Sequence, residues 1–127
     1  IVVSITSALA NAGYSKNQTL ATQYAQEGIE VVRSIRDANY GLVGSYNGNY
    51  CLGSGVSALG SSVPVCSTPN VGSFVRSVYI EQAACAANLA RVTVTVAWSD
   101  AKCNSGNYCH KSNIISCLST VNPIQTP

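Results

Sequence analysis

The sequence predicts an α+β fold, in which one long N-terminal α-helix packs on a small antiparallel β-sheet of about three strands and disulfides tie the loops. Three observations predict it. Apolar residues recur at helical spacing over 21–39, apolar and polar residues alternate over 91–98, and six cysteines follow the helix in polar surroundings. At 127 residues the chain has the size of a single domain. Its predicted segments are a helix (1–39), a loop (40–73), a sheet (74–120) and a tail (121–127).

The rear half of the helix is predicted to face the sheet. At about 100° per residue, seven apolar or small residues fall on one side of the helix. Gly28 lies in the middle of this side and costs about 1 kcal/mol of helix propensity, which the close approach of another backbone would offset. The predicted helix–sheet core combines this side with one face of the strand at 91–98: Ala21, Tyr24, Ala25, Gly28, Val31, Val32 and Ile35 with Val92, Val94, Val96 and Trp98.

The front of the helix carries a second apolar stripe, rotated by roughly 150° from the first. Polar residues at 15–19 separate the two stripes, and one compact domain cannot easily cover both. The second stripe is therefore either a frayed or self-associating end, or a surface that packs against neighbouring copies of the chain. It is too short and too polar to span a bilayer alone, since about 20 consecutive apolar residues are needed. Its residues are Ile1, Val2, Ile5, Ala8, Leu9 and Ala12.

The helix is predicted to end before Gly41, which would adopt the left-handed conformation common after a helix. Residues 41–73 are rich in Gly, Ser and Asn and are predicted to form a long loop. The tyrosines around its start have two interpretations, an adaptable contact surface or side chains that pack the loop onto the domain. The second is favoured. These tyrosines are Tyr40, Tyr46 and Tyr50.

After the loop, strands are predicted at 74–81, 91–98 and 112–120, most simply as an antiparallel meander. Six cysteines allow many connectivities, and this arrangement ranks one of them first. One cysteine lies in the loop between the first two strands, and another lies late in the third strand, which runs antiparallel to the second and so ends near that loop. Two others close a small surface loop, and the remaining two staple the long loop. The pairs ranked first are Cys85–Cys117, Cys103–Cys109 and Cys51–Cys66.

Composition limits the function classes. Charged residues make up 9% of the chain and the net charge is +2, without a basic run. DNA binding through a dense cationic patch is therefore unsupported, although contact at one small basic spot stays open. Six cysteines in a chain this short are typical of an oxidising, extracytoplasmic compartment. Reduced core thiols or a metal site are the alternatives, and the loop-like, polar residues around the cysteines favour disulfides.

No catalytic residue, metal or cofactor is predicted. His110 follows Cys109, with Cys103 nearby, but no CxxC or HxxxH spacing accompanies them. A disulfide with a neighbouring surface histidine is therefore favoured over a zinc site. The chain has five carboxylates, and the three on the helix lie opposite its apolar side, as expected for a solvated face.

Three segments together resemble a known family. The run AQEGIEVVRSIRD at 25–37, the strand VTVTVAW at 92–98 and the C-terminal strand after it resemble bacterial type IV pilins and pseudopilins. The likeness is greatest to minor-pilin-like members with a prepilin-type N terminus. Such proteins begin with a prepilin-peptidase site, an aromatic residue and an apolar run with an early glutamate. The resemblance implies that roughly 15 to 25 apolar residues precede Ile1, enough to complete a membrane span.

The resemblance also implies a function. The front of the helix would anchor the subunit in the inner membrane and later pack in a filament core against other pilin subunits. The segments 41–73 and 103–117 would shape the exposed surface of a filament used for adhesion, twitching motility or DNA uptake, with its surface or host ligand unspecified. The subunit would then be extracellular. Two alternatives stay open, a pseudopilin of a type II-like secretion system and a secreted, disulfide-stabilised binding module.

Overall fold

A computed structural model of the chain describes residues 2–56, 58–100, 103 and 108–121, with side chains from residue 16 onward. The α+β class is confirmed: a long helix packs on an antiparallel sheet. The elements in chain order are α1 (Val2–Ala38), α2 (Tyr40–Ser45), β1 (Gly48–Cys51), β2 (Val75–Ala86), β3 (Leu89–Trp98) and β4 (His110–Ser119).

Helix α1 runs without a break from Val2 to Ala38, about 55 Å at 1.5 Å per residue. It ends at Ala38. The next residue, Asn39, has an extended backbone and starts the short helix α2, and its side-chain oxygen accepts a hydrogen bond from the Leu42 amide at 3.2 Å. Asparagine is among the preferred residues at this capping position. Gly41 lies inside α2 and is not left-handed, so the prediction that it caps α1 is wrong.

The sheet has four strands in the order β1-β2-β3-β4, and each neighbouring pair is antiparallel. The predicted meander corresponds to β2, β3 and β4, and the prediction of about three strands is wrong by one. Strand β1 lies inside the stretch predicted to be loop. Its sequence, GNYC, is too short and too polar to alternate, and pairing with β2 creates it, with Tyr50 opposite Val78.

Strands β2 and β3 form a hairpin that is longer than predicted. Strand β2 continues to Ala86 across an irregularity in register between Glu81 and Ala86, where Ala83 has a positive φ of 56°. Such a bulge bends a strand locally. Asn88, with φ of 63°, occupies the turn, a conformation that asparagine tolerates better than most residues.

One face of the sheet and one face of α1 form the core. Ala21, Ala25 and Val32 on the helix are fully buried, and so are the three inward valines of β3. Trp98 is also buried, while Tyr24 and Val31 are partly buried at the margin. The core also contains residues beyond those assigned from the sequence: Ile29, Val43, Leu52, Val78, Ile80, Ala90 and Leu118.

The tyrosines of the first loop pack it onto the domain. Tyr46 and Tyr50 are buried and meet edge to face, with ring centroids 5.1 Å apart. The Tyr46 hydroxyl accepts a hydrogen bond from the Leu59 amide at 3.0 Å, and the Arg36 guanidinium lies 5.4 Å from the Tyr40 ring centroid. These contacts match the packing interpretation rather than that of a free contact surface.

The front stripe falls largely outside the described residues. The backbone of α1 is helical from Val2, but Ile1 and the side chains of the other stripe residues lie outside the description, as do residues 122–127 of the predicted tail. Within the part of the chain that is described, no helix combines the length and the apolar character needed to cross a membrane.

Candidate functional site

The rear of α1 approaches the sheet most closely at Gly28. A Cβ at this position would lie 2.7 Å from Val94 Cγ1, 3.3 Å from Leu52 Cδ2 and 3.4 Å from Arg76 Cδ. The sequence predicted the approach of another backbone, and this prediction is wrong: three side chains occupy the space. Glycine is needed because the side chains of β2, β3 and the loop after β1 meet the helix here.

One of these side chains, Arg76, is a fully buried cation. It donates from Nε to the Leu52 carbonyl at 2.9 Å, from Nη2 to the Gly53 carbonyl at 2.8 Å and from Nη1 to the Tyr24 carbonyl of α1 at 3.0 Å. Its Nη1 also lies 3.3 Å from Glu27 Oε1. Buried charges persist when they are paired and hydrogen-bonded, and this guanidinium joins the helix, β2 and the loop at one point.

Asn70 fixes the backbone of Arg76 through two hydrogen bonds. Its side-chain amide donates to the Arg76 carbonyl and its oxygen accepts from the Arg76 amide, both at 2.8 Å. Sequence reasoning missed Arg76. The signal was present, because alternation along VRSVYI places position 76 on the inward face with Val78 and Ile80.

The exposed side of α1 carries ion pairs between residues that are close in sequence. Arg33 pairs with Glu30 one turn earlier, and Asp37 pairs with the adjacent Arg36 at 3.0 Å. Exposed pairs of this kind contribute little to stability. The helix carboxylates lie on the solvated face, as the helical pattern predicts.

Three disulfides join the six cysteines: Cys51–Cys66, Cys85–Cys117 and Cys103–Cys109. These are the pairs that ranked first from the sequence. The second joins β2 to β4, which are not neighbours in the sheet. The irregular end of β2 lets its cysteine reach across the edge of β3. The first holds residues 63–67 beside β1.

Two cysteines and a histidine cluster near the start of β4, and the two cysteines are joined by a disulfide. The ligand atoms of Cys103, Cys109 and His110 all lie within 4.8 Å of one another. The two sulfurs are bonded to each other, so neither is available as the thiolate that binds a metal. His110 is mostly buried, with Nε2 2.9 Å from Asp100 Oδ1 and its ring 5.3 Å from the Trp98 ring.

The structure thus brings together the rear side of α1 and the inward side of β3, and it leaves the front stripe outside the described side chains. Comparisons with protein-family models, with curated proteins and with solved structures find no match for this chain.

Proposed function

We propose that this chain is a structural subunit of an extracellular filament that resembles a type IV pilus, and that it has no catalytic activity of its own. In this proposal the rear of α1 holds the globular domain, and its front packs against the helices of other subunits. The subunit is inserted in the inner membrane before assembly through a segment that precedes Ile1.

One observation carries the proposal: the backbone of α1 is one continuous helix from Val2 to Ala38, and its sequence pattern contains two apolar stripes at different angles round the helix axis. The side containing Ala21, Ala25 and Val32 is fully buried by the protein's own sheet. Strands of ten residues, such as β3, span about 33 Å, whereas the helix is about 55 Å long. At about 100° per residue, the sequence pattern puts the stripe from Ile1 to Ala12 roughly 150° from the covered side, which supports a partner other than this sheet.

The three disulfides support the extracellular part of the proposal. Disulfides persist in secreted and surface-exposed proteins and are rare in reducing compartments. A filament subunit exposed to the medium gains stability from them without a larger core. This support applies equally to a secreted binding module, so the decisive evidence must come from the front of the helix.

Cross-linking in assembled material tests the front stripe. We would replace Ala8 by cysteine in the native gene, express it in the source cell, and analyse sheared surface material on a gel with and without a short bismaleimide. The expected result is a ladder of covalent multimers, because the stripe faces neighbouring subunits. The matched control is Asn11→Cys, about 60° round the helix from Ala8 and on the polar side of the stripe, which should cross-link much less.

The alternatives make different predictions. The reading frame upstream of Ile1 should encode a prepilin-peptidase site followed by an apolar segment. A conventional signal peptide there would favour the secreted binding module and contradict the filament. The filament proposal would also be contradicted if the native full-length protein stayed monomeric outside membranes with its front helix in solvent. A filament confined to a secretion apparatus would point to the pseudopilin.

A further inference from the structure

The face of the sheet opposite α1 carries a cleft. It consists of two adjoining hollows of about 330 and 280 Å³ that share Val75, Ala97 and Lys111. The larger one lies within the lower range of small-ligand sites, about 300–1,000 Å³. Its floor comes from β2, β3 and β4, and one wall comes from residues 64–67 of the loop.

The sheet register explains why the floor is open. Val75, Ala97 and Lys111 lie side by side on three neighbouring strands, and they point away from the helix. The small Ala97 in the middle leaves space between its two larger neighbours. One row further, Ser77 lies beside Thr95, which adds two hydroxyl groups to the floor.

The wall is fixed in place. Cys66 is joined to Cys51 at the end of β1, and the Val63 amide donates to the Asn49 carbonyl of β1 at 2.8 Å. Val65, 72% exposed, forms the lip. Tyr79, half-exposed on β2, closes the larger hollow, and Tyr108 lines the smaller one. The cleft therefore combines phenol rings, hydroxyls, an amide and one ammonium group.

The distribution of charge indicates the ligand's sign. All five carboxylate side chains of the sequence lie in the described part of the chain, and each is already next to a basic group. The pairs are Glu27–Arg76, Glu30–Arg33, Asp37–Arg36, Glu81–Arg91 and Asp100–His110.

The described basic residues outside these pairs are lysines. Of the basic residues whose side chains are described, Lys16 and Lys111 have no carboxylate partner. Lys16 is on α1, on the other side of the sheet, and Lys111 lines both hollows. The cleft thus holds an exposed ammonium group that no acidic side chain of the protein neutralises, which favours an anionic ligand.

We propose that this cleft binds an acidic saccharide. The Lys111 ammonium pairs with the carboxylate of one sugar unit, and the Tyr79 ring packs on the C–H face of the sugar. Ser77, Thr95 and Asn49 exchange hydrogen bonds with the sugar hydroxyls, for which hydroxyl and amide groups supply both donors and acceptors.

The same groups disfavour a nucleic acid. Phosphate is recognised best by the bidentate fork of arginine, and all four arginines are engaged with the protein's own carboxylates. Affinity for DNA also needs several phosphate contacts along the backbone, whereas the cleft offers one described cation. The proposed contact with the carboxylate of a single sugar unit requires only one cation. This proposal goes beyond the filament proposal and holds whether or not the chain polymerises.

The test is binding of trigalacturonate to the 127-residue chain with its disulfides intact, measured by calorimetry or by ligand-observed NMR. The matched ligand is the fully methyl-esterified trisaccharide, which keeps the shape and removes the charge. We expect the ester to bind about tenfold to a hundredfold more weakly, since a charge-assisted hydrogen bond is lost. Rising salt should weaken binding of the acid and not of the ester.

Two variants locate the site. Lys111→Gln should weaken binding of trigalacturonate by the same factor as esterification, whereas Lys16→Gln should leave binding unchanged. Both lysines are exposed, so near-ultraviolet circular dichroism should show the same fold for both variants. The proposal is overturned if trigalacturonate does not bind, if acid and ester bind equally, or if both variants behave alike. Binding of a single-stranded DNA oligonucleotide through Lys111 in place of the saccharide would also overturn it.

Discussion

At the scale of single residues, Arg76 and Gly28 depend on each other. The guanidinium reaches the Tyr24 carbonyl in the middle of α1 at 3.0 Å, which is accessible because the residue one turn later has no side chain. A Cβ at Gly28 would lie 3.4 Å from Arg76 Cδ and 2.7 Å from Val94 Cγ1. The glycine thus lets both the valine and the arginine of the sheet reach the helix.

Replacing Arg76 should destabilise the fold strongly. Arg76→Met keeps the aliphatic volume but leaves the carbonyls of Leu52, Gly53 and Tyr24 without this donor. An unsatisfied buried polar group costs about 1–3 kcal/mol, so we expect a loss of about 3 kcal/mol in the free energy of unfolding, measured by urea denaturation. The control is Arg91→Met, which breaks the exposed pair with Glu81 and should cost about 1 kcal/mol or less. Equal losses would contradict the special role of Arg76.

Adding a methyl group at Gly28 should also destabilise, despite better helix propensity. Gly28→Ala gains about 1 kcal/mol of propensity and incurs overpacking of about 1–3 kcal/mol against Val94. We expect a net loss that a second change, Val94→Ala, partly offsets, so that a double-mutant cycle gives a coupling of about 1 kcal/mol. Gly44→Ala in α2 is the control, since its Cβ would meet only Thr120 at 3.8 Å; it should be neutral or stabilising.

At the scale of elements, the disulfides join cysteines that lie outside the buried core. Cys51–Cys66 holds the loop against β1, and Cys85–Cys117 ties the irregular end of β2 to β4. The loop that forms one wall of the cleft, residues 64–67, is held by Cys51–Cys66. Removing this disulfide should therefore weaken binding of the proposed acidic saccharide as well as lower the stability of the fold.

Removing each disulfide as a Cys→Ser pair should destabilise in the order of loop length. The sequence separations are 32 for Cys85–Cys117, 15 for Cys51–Cys66 and 6 for Cys103–Cys109. The loop-entropy relation gives losses of about 3.7, 3 and 2 kcal/mol respectively. Denaturant titration of the three double variants measures this order. A larger loss at Cys103–Cys109 than at Cys85–Cys117 would contradict it.

At the scale of the whole molecule, the proposed filament assigns the front of α1 to other subunits rather than to its own domain. A chain that begins at residue 16 should therefore unfold with a free energy within about 0.5 kcal/mol of the full chain, as expected for changes away from the core. It should also sediment as a monomer under conditions in which the longer chain associates. A loss of several kcal/mol on truncation would show that the domain itself covers the front stripe, and the filament proposal would fail.

Much of this architecture was predictable from local patterns. The rear side of α1 and the inward side of β3 repeat with periods that only a helix and a strand produce, and a meander of β2, β3 and β4 sufficed to rank the cysteine pairs. Strand β1 was not predictable, because a four-residue segment with Gly and Asn has no pattern of its own. The end of α1 was predicted within one residue, but the left-handed cap expected at Gly41 is absent, since Asn39 starts a second short helix that contains Gly41.

The sequence by itself determined the α+β class, the covered side of the helix and the two directions of its apolar stripes, since these follow from periodicities within one element. Only the tertiary structure decided which carbonyl groups Arg76 binds, that the space beside Gly28 belongs to side chains, and that Lys111 lines a cleft in which no acidic side chain pairs with it. Each depends on residues distant in sequence that pairing of strands brings together. Local patterns do not specify which side chains these pairings bring into contact, so the charge balance of a site is defined only in the folded chain.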